Sequence, residues 1–259
     1  MDLQLSGKGV VVTGASRGIG SAIARAFAEQ GATVVAGART TSKELAAIDG
    51  VHPVAVDLAT PQGATTLVET ALPLLGGRLD VLVNNVGGVH PRLGGFTSVT
   101  DEEWLETFTL NFLSAVRVTR AALPELLRNG GSIVTICSVN ASLPDPLVID
   151  YSASKAALLN FSKALSKEVG PRGVRVNTIS PGPVETDLWL GAGGVAETIG
   201  GASDVTPDQV AEKAVSGTAT GRFTRPREVA DLALLLASDR AGNVTGTDVL
   251  IDGGMTTSL

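Results

Sequence analysis

Tyr151 and Lys155 are the residues of this chain best suited to move a proton. Spaced four apart, they lie one above the other on the same face of a helix. An ammonium beside a phenol favours the phenolate, so it is expected to lower a pKa that is about 10 in water. A phenol tuned toward neutrality can pass a proton to or from a substrate oxygen. Tyrosine and lysine meet at this spacing on many ordinary helix surfaces, so the pair gains weight only in company. Three features supply it: a glycine turn at Thr13–Gly20, Ser138 thirteen residues before the tyrosine, and Asn111 between those two.

The turn reads Thr13-Gly14-Ala15-Ser16-Arg17-Gly18-Ile19-Gly20. It follows an apolar run and opens a helical pattern. Gly14 allows a tight turn, while Gly18 and Gly20 let backbone approach a ligand and let the helix pack closely. The N–H groups of the first helical turn would then face a pyrophosphate. The spacing is Gly-x3-Gly-x-Gly, and its place after the first strand marks it as a dinucleotide turn. Cys137, the one cysteine, reads as a small buried apolar residue rather than a nucleophile. His52 and His90 lack partners at metal-ligand spacing, so no metal is expected, although His90 lies in a loop that could touch substrate.

These residues need a scaffold that brings them to one edge. Val10–Thr13, Thr33–Ala36, Pro53–Val56, Val81–Asn84, Ser132–Ile136, Val174–Ile179 and Val249–Ile251 read as strands. They are continuous apolar runs, the pattern of strands covered on both faces of a parallel sheet. Helical patterns alternate with them near residues 18–30, 61–73, 101–127, 151–168 and 226–237. The expected fold is α/β: one Rossmann-type, doubly wound domain over residues 1–259, a seven-stranded parallel sheet with helices on both faces. Two glycine-rich stretches, 87–99 and 187–221, break the rhythm, and the second is expected to be a lid over the substrate, the alternative being a surface insertion. Trp189, in that stretch, is either a wall for substrate or simple packing, whereas Trp104 reads as helix packing.

The 259 residues, 44% of them hydrophobic and 18% charged, can bury a sizeable core. A net charge of −6 offers no electrostatic footprint for nucleic acid. No apolar run is long enough to span a bilayer, and the first residues lack the basic start and apolar core of a secretory signal. A cytoplasmic location is the default expectation, and a single cysteine permits no intrachain disulfide.

Taken in order and spacing, Thr13–Gly20, Asn84-Asn85-Val86-Gly87, Asn111, Ser138, Tyr151-x-x-x-Lys155 and Pro181-Gly182 resemble the short-chain dehydrogenase/reductase family from Gly7 to about Gly254. The resemblance implies an NADP(H)-dependent oxidoreductase interconverting a ketone and a secondary alcohol, with hydride carried on the pro-S face. It makes Tyr151 the acid/base, Ser138 the group holding the substrate oxygen (otherwise a turn cap), and Lys155 the ligand of the nicotinamide ribose. It makes Asn111 the holder of a proton-relaying water. The implied cofactor contacts are Gly14, Ser16, Arg17, Gly18, Ile19, Gly20, Arg39, Asp57, Leu58, Asn84, Val86, Gly87, Tyr151, Lys155, Pro181, Gly182, Val184 and Thr186. Asn84 and Gly87 would line the adenosine side. Asp57 would meet the adenine or else cap a turn. Val86 stands where the family usually has alanine, and a small backbone adjustment without loss of cofactor binding is expected. Asp252-Gly253-Gly254 resembles a structural C-terminal turn. At the end of the second strand, Ala38 replaces the acid that NAD enzymes place against the ribose hydroxyls. Arg39 follows it, and with Arg17 could grip a 2′-phosphate; NADP(H) is the expected cofactor and NAD(H) the alternative. The expected partners are a small carbonyl or alcohol substrate and further copies of the chain, as a homotetramer or homodimer through the 101–127 and 151–168 helices, with no nucleic acid and no membrane. The alternatives are a 3-oxoacyl-thioester reductase, with Arg128 and Arg172 as a rim for an acidic carrier protein or as solvated charges, and a non-catalytic dinucleotide-binding regulator. An enzyme dehydrating or epimerising a nucleotide sugar would need a larger C-terminal region.

Overall fold

Valine and isoleucine fill the strand runs, and successive side chains leave a strand on opposite faces. In the computed structural model, which describes residues 2–41, 43–202 and 205–257, this alternation builds two cores. Val10, Val12 and Val134 pack on one face with Ile23, Phe27 and Leu234. Val11, Leu82 and Ile133 pack on the other with Leu67, Leu126 and Leu165. Each such side chain, fully buried, contributes about 1.5–3 kcal/mol.

The strands are β1 (Gly9–Thr13), β2 (Thr33–Ala38), β3 (Val51–Ala55), β4 (Val81–Asn84), β5 (Gly131–Ile136), β6 (Val174–Pro181) and β7 (Asp248–Ile251). They form one parallel sheet in the order β3-β2-β1-β4-β5-β6-β7. β3 begins two residues before the expected Pro53. It is an edge strand, where a proline without an N–H is tolerated, and Pro53 pairs opposite Ala36.

The helices are α1 (Gly18–Glu29), α2 (Lys43–Ala46), α3 (Pro61–Leu74), α4 (Asp101–Phe108), α5 (Ser114–Asn129), α6 (Ile149–Val169), α7 (Asp187–Leu190), α8 (Val195–Gly201), α9 (Pro207–Ser216) and α10 (Pro226–Ala237). Helices α1 and α10 cover one face of the sheet; α3, α5 and α6 cover the other. The Thr100 side chain accepts from the Glu103 N–H at 3.3 Å while the Glu103 carboxylate accepts from the Thr100 N–H at 2.9 Å, and this capping box starts α4. The expected single helix over 101–127 is in fact α4 and α5 joined by a π-helical turn, Thr109–Leu113. Among the described residues no helix is long and apolar enough to cross a membrane.

The chain runs from β1 outward to β3, then crosses back to β4 on the other side of β1. That reversal opens a crevice at the carboxyl ends of β1 and β4, the place where open α/β sheets bind ligands.

Candidate active site

A cleft of about 900 Å³ runs along the carboxyl ends of the strands, from Arg39 after β2 to Trp189 in α7. Gly14 (φ +64°) and Gly18 (φ +55°) hold left-handed backbone in the turn after β1. A Cβ on Gly20 would collide with the Gly14 carbonyl oxygen and come within 2.5 Å of Asn85 Nδ2. Asn85 stitches the turn to β4: its Nδ2 donates to the carbonyls of Thr13 and Gly14, each at 3.0 Å. Thr13 Oγ1 in return accepts from the N–H groups of Asn85 (2.9 Å) and Val86 (3.2 Å). Helix α1 starts at Arg17 with no side-chain cap and no acid in its first turn, which leaves its positive end to an anion. A cradle that a Cβ would fill, at an uncapped helix start, fits a dinucleotide pyrophosphate.

Ser16, Arg17, Ile19, Arg39, Asp57, Leu58, Val86, Gly87, Pro181, Gly182, Val184 and Thr186 all line the cleft with Gly14 and Gly18. Asp57 caps a turn, its Oδ1 accepting from the Ala59 N–H at 3.0 Å, and it also lines the cleft. Val86 is accommodated by packing against the core beneath β4. Thr186 covers the glycine turn, where a Cβ on Gly18 would lie 3.2 Å from its Cγ2. Arg17 and Arg39 make no ion pair among the described residues. The side chain of Asn84 does not line the cleft: its Nδ2 donates to Thr119 Oγ1 in α5 at 2.9 Å. Strand parity carried that signal. Asn84 shares the face of Leu82, which packs toward α5, so the asparagine that serves the cleft is Asn85. His90 is exposed and outside the lining, and Gly20 lies behind the turn.

Ser138 lies two residues beyond β5 and lines the same cleft. It also caps the next turn, accepting from the Asn140 N–H at 3.2 Å and donating to Asn140 Oδ1 at 3.2 Å. Tyr151 and Lys155 project from α6, with the Lys155 ammonium 5.7 Å from the centroid of the tyrosine ring. That ammonium donates to the Ile136 carbonyl at 2.9 Å. Asn111 sits fully buried in the π turn, not on the cleft surface. Its Nδ2 donates to the carbonyls of Gly88 (3.0 Å) and Thr107 (3.1 Å), and its Oδ1 accepts from the Gly88 N–H at 3.0 Å. Gly87 joins the group: a Cβ there would lie 2.8 Å from Asn111 Oδ1 and 3.5 Å from Lys155 Nζ. Asn111 thus clamps the loop after β4 against the lysine.

The electrostatics correct the expectation for Tyr151. Burial pushes its phenol up to about 12, and a hydrogen bond with Ser138 opposes the rise. The Lys155 ammonium donates to a carbonyl of β5, and burial lowers its own pKa. Burial likewise raises the Cys137 thiol, which donates to the Lys155 carbonyl at 3.2 Å and stays neutral.

A partly buried ion-pair network next to Tyr151 has no counterpart in the sequence motifs. Arg92 donates to Asp150 Oδ2 through Nη2 (2.5 Å) and Nε (3.1 Å), and to Glu103 Oε1 at 2.6 Å. Thr107 Oγ1 donates to the same Asp150 oxygen at 2.7 Å. Burial would raise the Asp150 carboxyl, but the bonds from Arg92 and Thr107 outweigh it and hold the pKa below the ordinary carboxylate value. Arg128 and Arg172 lie just before β5 and β6, at the end of the sheet opposite the cleft, so neither forms a rim for it.

Comparison with known proteins agrees with this geometry. The family described as Enoyl-(Acyl carrier protein) reductase matches residues 14–256. A 3-oxoacyl-[acyl-carrier-protein] reductase from Thermotoga maritima is 33% identical, with 98% of this chain and 99% of the relative aligned. The 2,3-dihydro-2,3-dihydroxybenzoate dehydrogenase of Escherichia coli is 34% identical over 98% and 99%. The crystal structure of L-sorbose reductase from Gluconobacter frateurii, complexed with NADPH and L-sorbose, superposes with a TM-score of 0.90 at 34% identity and 100% coverage of both chains. The chain therefore belongs to the short-chain dehydrogenase/reductase family of oxidoreductases, enzymes acting on CH–OH and C=O groups.

Proposed function

We propose that this chain interconverts a ketone and a secondary alcohol with NADP(H), using Tyr151 as its acid/base. The observation that carries the reading is the shared cleft: Ser138, Tyr151 and Lys155 line the same groove as the glycine turn and Arg39. The chemistry a nicotinamide dinucleotide supplies when bound is hydride transfer. The protein supplies placement and the proton. In reduction Ser138 Oγ donates to the carbonyl oxygen, and Tyr151 hands its phenolic proton to that oxygen as the alkoxide develops. Lys155 holds the ribose hydroxyls beside them, and Asn111 fixes the Gly87–Gly88 wall. Arg17 and Arg39, which make no ion pair among the described residues and line the cleft with Ala38, take the 2′-phosphate. The glycine-rich segment over α7–α9 closes over the substrate and excludes water. Further copies of the chain assemble with it as a dimer or tetramer.

Steady-state kinetics with NADPH and NADH test the cofactor assignment. The wild-type chain should show the higher kcat/KM with NADPH. Ala38→Asp combined with Arg39→Ala should move the preference toward NADH by roughly 30- to 700-fold, equivalent to about 2–4 kcal/mol if two charge-assisted contacts are partly lost. A wild-type preference for NADH would overturn the reading of Arg17 and Arg39.

A further inference from the structure

We infer that the substrate is an electrically neutral ketone with an apolar arm, rather than a carboxylate, a phosphate or a polyol. The inference rests on the carbonyl-reductase reading above and concerns the half of the cleft beyond Ser138 and Tyr151. The lining there includes Leu143, Leu147 and Val148 from the segment before α6, and Leu188, Trp189 and Ile199 from α7 and α8. Trp189 is held in place by an edge contact with Phe223, ring centroids 5.8 Å apart.

The charges decide against an anion. The basic groups lining the cleft are Arg17 and Arg39 at the glycine-turn end, and Lys155, already committed to the Ile136 carbonyl. Among the described residues, segments 139–148 and 187–216 add no lysine, arginine or histidine to the lining; their ionisable contributions are the carboxylates Asp145 and Asp187. Arg92 is taken by Asp150 and Glu103. An anionic head would be desolvated here without a counter-charge and beside groups of its own sign.

Side-chain donors are few in this half of the cleft, which disfavours a polyol. Each hydroxyl brought out of water needs a partner. The polar side chain next to Ser138 is Asn140, whose Oδ1 already accepts from Ser138 and whose Nδ2 donates to the Leu143 carbonyl at 3.3 Å. Asp145 Oδ1 accepts from the Leu147 N–H at 2.9 Å. Apolar walls with few donors suit an aliphatic or aromatic arm.

NADPH oxidation by the full chain tests this with matched pairs: ethyl 3-oxobutanoate against 3-oxobutanoate, and an aryl alkyl ketone against a ketohexose. The ester and the aryl ketone should each exceed their counterpart in kcat/KM by at least about 100-fold. Leu143→Arg, at a position 45% exposed and so tolerant of a longer side chain, should shift the acid-to-ester ratio toward the acid by about tenfold. Turnover of the acid or the ketose as fast as its neutral, apolar partner overturns the inference and leaves the oxidoreductase reading standing. An unchanged ratio in a folded Leu143→Arg variant places the arm elsewhere and also overturns it. No reduction of any carbonyl in the panel, by a protein that binds NADPH, overturns both.

Discussion

At the scale of the residue, the phenol of Tyr151 governs what the site can do. With its pKa pushed up to about 12 by burial, it stays protonated through the neutral range, which is the form a carbonyl reduction needs. The ordinary phenol value near 10 is raised on folding, so the stability this group contributes is complete below pH 10 and is lost as the pH climbs through about 12. Tyr151 is the one tyrosine in the chain, so tyrosinate absorbance reports on it alone. In the cofactor-free protein at pH 10.5, where a free phenol is about three-quarters ionised, the tyrosinate signal should be almost absent. A titration midpoint below 10 would show that Lys155 does control the phenol. Tyr151→Phe should lose that signal and cut turnover to below a few per cent, while NADPH titration is nearly unchanged because only one hydroxyl is removed.

At the scale of the element, the Arg92 network binds the loop after β4, helix α4 and the first turn of α6 into one block. Asp150 is 1% exposed, and removing its counter-ion leaves a buried carboxylate unpaired. Arg92→Ala should therefore destabilise the protein by about 3–5 kcal/mol at pH 7. The lowered Asp150 pKa adds stability above its unfolded value near 3.8, which is lost as the pH falls through the depressed folded pKa. The gap between wild type and variant should consequently narrow in acid. Urea denaturation at pH 7 and pH 3 measures both, and a loss under 1 kcal/mol at pH 7 would contradict the pairing. None of this was legible in the sequence, because Arg92 and Asp150 are 58 residues apart and no motif links them. The strands were legible, because β-branched runs buried on both faces announce themselves; the start of β3 was not, because His52-Pro53 mimics a loop. Asn111 was legible by type and place, but its clamp depends on the π turn, which looks like an unbroken helix. Its Nδ2 takes the Thr107 carbonyl to which an α-helix would direct its own backbone N–H. Lys155 was legible as a neighbour of Tyr151, whereas its bond to Ile136 depends on how α6 lies across β5.

At the scale of the whole molecule, the cleft has a fixed floor, the sheet, and a roof of short helices. α7, α8 and α9 together span residues 187–216 in pieces of 4, 7 and 10 residues, each shorter than the helices that cover the sheet. Short helices of this kind open at low free-energy cost. Hydrogen exchange should show amides in this segment gaining protection when NADPH and a substrate analogue bind, while α3 and α5 stay unchanged. Equal protection in both states would mean a static roof. The order of the strands has a consequence for the making of the protein. A ribosome delivers β1 to β4 first, and these can form the half sheet β3-β2-β1-β4 with the glycine turn in place. Ser138, Tyr151 and Thr186 emerge later, and until β5 arrives the nascent chain displays Val81-Leu82-Val83 as an open edge. The catalytic centre therefore matures after the dinucleotide half, and the unfinished chain is most exposed to wrong pairing while about half of it is still unmade.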